Sequence, residues 1–139
     1  MYEEQFSTLL RANNMSVTPE RIRLFNVLAS ATEPISTTTL IDKSRKFMNK
    51  TTVYRNIDLF EKLGITHRVY AGWKYTIELS DLFSPHHHHI TCTQCGKIRT
   101  FHEPRELDEQ LHNIARESGF ELNQHSLELR GICGPCSVE

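Results

Sequence analysis

No apolar stretch in this chain approaches the ~20 residues that a membrane-spanning helix needs, and its 139 residues include one tryptophan, six glycines and four cysteines. The first shortage excludes a helical membrane protein. No secretory or lipidation signal is visible, so the expected location is cytoplasmic, with no membrane partner. Neither a Gly-rich phosphate loop nor a His-Glu-x-x-His motif occurs, which argues against a nucleotide-using enzyme and against a zinc hydrolase, the rival from another class. A metal-buffering protein without a DNA role is a second rival. A large charge surplus is also lacking, since 16 Lys/Arg face 17 Asp/Glu for a net charge of −1. That balance hides an asymmetry: residues 1–79 carry 11 basic against 8 acidic side chains, and residues 80–139 carry 5 against 9. A mildly basic N-terminal half suits a polyanionic partner, as a weak signal.

The few cysteines are all used in two Cys-x-x-Cys units, Cys92/Cys95 and Cys133/Cys136. Two such pairs supply the four thiolates of a closed tetrahedral zinc site. Two intervening residues let a tight turn aim both sulfurs at one ion, and Gly96 and Gly134 relax those turns. The alternative is two disulfides, but these would close loops too small to stabilise the chain much. Four cysteines leave no open position for a substrate, so the site is read as structural.

Histidine is abundant where cysteine is scarce: four of the eight histidines form the run His86-His87-His88-His89, just before Ile90-Thr91-Cys92. Ile90-Thr91 and Lys97 to Phe101 read as strands flanking the Cys turn. On a strand, side chains alternate, so His86 and His88 share one face and His87 and His89 the other. Each pair is a start for a metal site. A surface polyhistidine that binds nothing, or an expression tag, is the plainer alternative.

Residues 1–79 read as helices followed by a hairpin. Phe6, Leu9 and Leu10 lie at helical spacing within 3–12, and Thr18-Pro19-Glu20 starts a second helix carrying Ile22, Phe25 and Leu28. A third begins at Ser36 or Thr37, with Leu40 and Ile41 facing inward. A fourth follows Asn49, buries Val53, Ile57, Phe60 and Leu63, and stops at Gly64. Residues 65–70 and 73–79, joined by Ala71-Gly72, form the hairpin. This is the winged helix-turn-helix layout with the fourth helix as reader. Lys50, Thr51, Thr52 and Arg55 in its first turns suit phosphates, and Tyr54 suits a base edge or a thymine methyl. Arg68 and Lys74 on the wing could add backbone contacts. The plain alternative is a solvated amphipathic helix with ordinary surface charge.

Thr52-Val53-Tyr54-Arg55, the stretch His86 to Lys97, and Asn123 to Gly131 occur in order at separations that resemble those of the ferric uptake regulator (Fur) family, along nearly the whole chain. The resemblance implies an α+β protein: a winged-helix domain at 1–79, a hinge at 80–85, and an α/β dimerisation and metal-binding domain at 86–139. It implies a homodimeric repressor of inverted-repeat operators in double-stranded DNA, closed into its DNA-binding form by a regulatory divalent metal. The C-terminal part itself reads as strands at 89–92 and 97–101, a helix from Pro104 to Ser118 ended by Gly119, and a last strand from Phe120 to Arg130. Leu107, Leu111, Ile114 and Ala115 read as helix core and dimer contacts.

Iron and peroxide sensors of this family typically place a His just before the third helix and an Asp or Glu five residues past the second Cys; here Glu33-Pro34 and Thr100 stand there. Matching positions retain Glu78, His87 and His89, and His67 stands where zinc-sensing members carry a wing ligand. A four-coordinate set of His67, Glu78, His87 and His89 suits Zn²⁺ over Fe²⁺ or Mn²⁺. Asp81 could replace Glu78, and Glu33 or Glu103 could add a fifth ligand. A further family metal site would use His86, His88, Asp108 and His125.

Overall fold

The computed structural model describes residues 2–138, which divide into two compact units on either side of the Pro85–His86 junction. In the first unit four helices come first: α1 (Tyr2–Ala12), α2 (Pro19–Ser30), α3 (Thr37–Ser44) and α4 (Lys50–Lys62). Their starts are set by local chemistry. Thr18, Ser36 and Asn49 each turn a side-chain oxygen onto a backbone N–H three residues on, at 3.2, 3.1 and 2.9 Å. Each such cap satisfies a donor that the helix cannot use itself and contributes about 1 kcal/mol. Helix α4 ends where Gly64 takes a φ of 75°, a left-handed turn that a Cβ would strain.

The hairpin follows as antiparallel strands β1 (Thr66–Ala71) and β2 (Lys74–Leu79), with Ala71 opposite Lys74, so its loop is Gly72-Trp73. That is one residue later than the sequence suggests, because Gly72, with a φ of 66°, takes the first loop position. Ile35 exchanges two 2.8 Å backbone bonds with Ile77 and ties the entry to α3 onto the wing. Phe6, Leu10, Leu24, Phe25, Leu28, Leu40, Val53, Ile57, Phe60, Ile65 and Ile77 are buried together. The stacked Phe6–Phe25 pair, 4.4 Å between ring centres, sits at the middle of this core. Residues 80–85, read from the sequence as a hinge, are anchored on this unit: Phe83 is buried, its ring 5.1 Å from that of Phe25.

The second unit is a three-stranded sheet in the order β4-β3-β5, built from β3 (His88–Cys92), β4 (Ile98–Phe101) and β5 (Glu128–Gly131), with helix α5 (Arg105–Glu117) and the short α6 (Gly134–Ser137). Strand β4 runs antiparallel to β3 and β5 parallel to it. The long last strand expected from Phe120 is corrected: only Glu128–Gly131 pairs. A ladder extends only as far as its partner offers backbone groups, and β3 provides four paired positions, His89 to Cys92. Among the described residues, this unit buries no large apolar side chain. Ile114 is 60% exposed and Phe120 70%, and no residue of α5 is buried. Of Leu107, Leu111, Ile114 and Ala115, read as helix core and dimer contacts, none is fully buried within the single chain: Ile114 is exposed and the other three are half-buried.

Candidate DNA-reading helix and metal centres

Helix α4 separates its two faces cleanly. Val53, Asn56, Ile57 and Phe60 point into the core, whereas Lys50, Thr51, Tyr54 and Arg55 are exposed and Thr52 is half-buried. Five side chains proposed for DNA thus cluster in the first two turns, where the helix dipole and unpaired N–H groups favour phosphate. Asn56, which sequence reasoning passed over, braces the helix from behind. Its Nδ2 donates to the Thr52 carbonyl at 2.9 Å, and its Oδ1 accepts from Arg21 Nε at 2.9 Å. Arg21 also donates to the Ser16 carbonyl at 2.7 Å, so α2 and α4 share one polar clamp. The signal in the sequence was a polar residue on an otherwise apolar face.

Arg68, one of the wing residues suggested for a DNA backbone contact, is held by acidic residues of its own unit. Its guanidinium donates to Glu61 at 2.8 Å, lies 3.5 Å from Asp58, and covers the Tyr75 ring at 4.4 Å. Burial, the largest single influence, lowers its pKa, but the bond and charge of Glu61 together with Tyr75 and Tyr70 outweigh it and raise the net value. Arg68 fastens β1 to α4. Lys74 is exposed at the hairpin's end. Across the same hairpin His67 pairs with Glu78, Nε2 to Oε1 at 2.7 Å.

The four cysteines converge in the second unit. Cys92 ends β3, Cys95 lies in the turn that returns through Gly96 at a φ of 78°, Cys133 caps α6 and Cys136 lies within it. All are free thiols, with their sulfurs within 4.8 Å of one another. Cys95 Sγ and Cys133 Sγ are 3.7 Å apart, and a tetrahedral zinc with ~2.3 Å bonds sets its sulfurs about 3.8 Å apart. Backbone N–H groups of Cys133 and Cys95 aim at Cys92 Sγ, at 3.3 and 3.5 Å, and lower its pKa to about 6. Cys136 is pushed up to about 12, first by its contact with Cys133 and then by that with Cys95. One thiolate is favoured by the backbone, while crowded sulfur resists a further ionisation. A divalent cation resolves that conflict, so the donor set fits zinc held by Cys92, Cys95, Cys133 and Cys136.

Alternation along β3 sorts the histidines as its period requires. The His86 and His88 rings lie 4.6 Å apart and those of His87 and His89 5.0 Å apart, both pairs close to perpendicular. On the first face, His125 joins, its ring 5.0 Å from that of His86. The carboxylate at this cluster is Glu103, whose Oε1 lies 2.9 Å from His88 Nε2 and 2.6 Å from His125 Nε2. Burial pushes the Glu103 pKa up, but the bonds to His88 and His125 prevail and hold it below its ordinary value. Donor atoms of His86, His88, Glu103 and His125 all fall within 4.8 Å of one another, a set that could hold a divalent ion.

Asp108, assigned to this site from the sequence, is not in it: it stands one turn from His112 on α5, 3.4 Å from its Nδ1. A residue early in a helix points where the helix axis dictates, whereas Glu103, in the loop before α5, reaches both imidazoles. Glu103 is accordingly not a fifth ligand on the His87/His89 face. Thr100 stands opposite His89 in the ladder, and Glu33 and Asp81 lie in loops of the first unit.

The sequence model of the ferric uptake regulator family matches residues 12–130. The chain belongs to this family. Fur-family proteins are metal-responsive transcriptional regulators that bind DNA as dimers, and they are not enzymes. The chain is 33% identical to the ferric uptake regulation protein of Campylobacter jejuni over 142 aligned positions, covering 96% of this chain and 87% of that one. It is 32% identical over 136 positions to the peroxide-responsive repressor PerR of Staphylococcus saprophyticus, covering 96% and 90%. The solved structure of the Helicobacter pylori ferric uptake regulator, described as having three functional metal binding sites, superposes with a TM-score of 0.82 over 98% of this chain and 91% of that one. At 21% identity that likeness establishes the fold.

Proposed function

We propose that this chain is a cytoplasmic repressor that binds inverted-repeat operators as a dimer when a regulatory zinc ion is held by His67, Glu78, His87 and His89. The observation that carries this reading is the ready-made donor pair in each unit: His67 with Glu78 on the wing, and His87 with His89 on β3. Neither pair alone satisfies a tetrahedral ion. Zinc is favoured because Glu33 and Thr100 stand where iron-type sites would add a histidine and a carboxylate, leaving few ligands for Fe²⁺ or Mn²⁺. The cysteine zinc would remain bound throughout, while His86, His88, Glu103 and His125 would hold a further ion. A second reading, iron- or peroxide-responsive control, is favoured by the relatives from Campylobacter jejuni and Staphylococcus saprophyticus.

The DNA assignment is tested on α4. Tyr54→Ala is expected to lose about 1–3 kcal/mol of discrimination between operator and random duplex, the scale of one base contact. Arg55→Ala is expected to weaken binding to both duplexes alike and to reduce the salt slope by about 1, as for a phosphate contact. Fluorescence anisotropy across a salt series reads both. If both variants bind like the parent, α4 is not the reader.

A further inference from the structure

We propose that His102 is a ligand of the regulatory ion in place of one of the two wing residues, so that β3 and β4 alone present three of its four donors, the imidazoles of His87, His89 and His102. This deepens the preceding reading and rests on its placing of the ion at His87 and His89. The register supplies the argument. His88 stands opposite Phe101 and His89 opposite Thr100, so the next position outward sets His102 opposite His87. Their rings lie 6.4 Å apart at 62°, and the His87 and His89 rings 5.0 Å apart at 88°. With metal–nitrogen bonds of ~2.0–2.1 Å, two imidazoles on one tetrahedral ion place their ring centres about 5 Å apart. The His87–His89 pair already meets that spacing. His102 is exposed, and rotation about its own side-chain bonds closes the remaining gap.

The chemistry of the ladder points the same way. Thr100, the residue facing His89, offers a neutral hydroxyl, a poor ligand for a divalent cation. Two residues along, on the same side of the strand, His102 offers a strong nitrogen donor. Three neutral imidazoles form a borderline-soft set that favours zinc over the harder, oxygen-seeking manganese. They also come from a single sheet, so much of the ion's affinity belongs to the second unit.

The test is zinc affinity of the exchangeable site, measured by chelator competition on the full-length dimer with its cysteine zinc in place, together with the visible absorption of Co²⁺ loaded into that site. His102→Ala and the similarly sized His102→Gln should each weaken zinc about 10-fold or more, since even groups that only orient a ligand are worth that much. Both should change the Co²⁺ spectrum while dimer and cysteine zinc persist, and His112→Ala, on the far helix, should do neither. Parent-like affinity and spectrum in both His102 variants, with affinity lost in His89→Ala, would overturn the role of His102 and leave the site at His87 and His89 standing. Parent-like behaviour in His89→Ala as well would remove both.

Discussion

Cys136→Ser is expected to abolish tightly held zinc and with it the dimer. The second unit buries no large apolar side chain among the described residues, and beyond the β3–β5 ladder it is Cys92 at the end of β3 with Cys133 and Cys136 around α6 that tie its C-terminal segment to the sheet. Structural zinc contributes on the order of 10–16 kcal/mol in small zinc modules, comparable with or above the 5–15 kcal/mol net stability of a typical domain. Losing one of four ligands therefore removes more than a small unit can spare. The remaining thiols would have no counter-charge to draw off the proton that sulfur crowding holds on. Zinc content per chain, sedimentation and a thermal melt check the result together. A Cys136→Ser protein that sediments as a dimer and melts at the parent temperature would show that the clamp is dispensable.

The second large effect concerns the signal. His89→Ala should eliminate metal-stimulated DNA binding, yet leave the dimer and the cysteine zinc as they are. The two centres do not share ligands: His89 points to the opposite side of β3 from His88, and Cys92 lies three residues on. An effector shifts an equilibrium only by its differential affinity for the two states, typically 1–3 kcal/mol or about 5- to 150-fold in DNA affinity. Removing a ligand for that ion removes the difference. In metal-buffered titrations of the parent, zinc should act at a lower free concentration than Fe²⁺ or Mn²⁺, in keeping with the general order of divalent affinities. A tighter response to Fe²⁺ would instead favour the iron or peroxide reading. An unchanged response in His89→Ala would place the ion elsewhere.

The parts of this protein that could be read from the chain are those decided within a few residues. Thr18, Ser36 and Asn49 announce helix starts because a cap needs only its own side chain and an N–H three positions on. The sorting of His86 to His89 onto two faces follows from the pleat alone. What failed depends on neighbours distant in sequence. Residues 120–127 have a strand-like composition, but no ladder is available to them beyond the short reach of β3. Asp108 has the right chemistry and Glu103 the right position, and the difference lies in how α5 leaves the sheet. The acidic partners of Arg68, Asp58 and Glu61, sit on another element and could not be assigned to it from the chain alone. The brace formed by Asn56 and Arg21 spans 35 positions: a polar residue on the apolar face of α4 marks one end of it, and nothing local names its partner.

That brace sets a condition on the DNA. With its rear face bolted to α2 through Asn56, α4 cannot tilt or slide to accommodate an ill-fitting groove without breaking the part-buried Arg21–Asn56 hydrogen bond. Each protomer then carries its reader as a fixed fitting, and two such fittings in a dimer have one preferred separation and phase along the duplex. B-DNA turns once in about 10–10.5 base pairs, so a single base pair inserted between half-sites swings one of them by about 35°. A rigidly mounted helix tolerates such a swing poorly. Among imperfect operators, the protein would then forgive a changed letter more readily than a changed count.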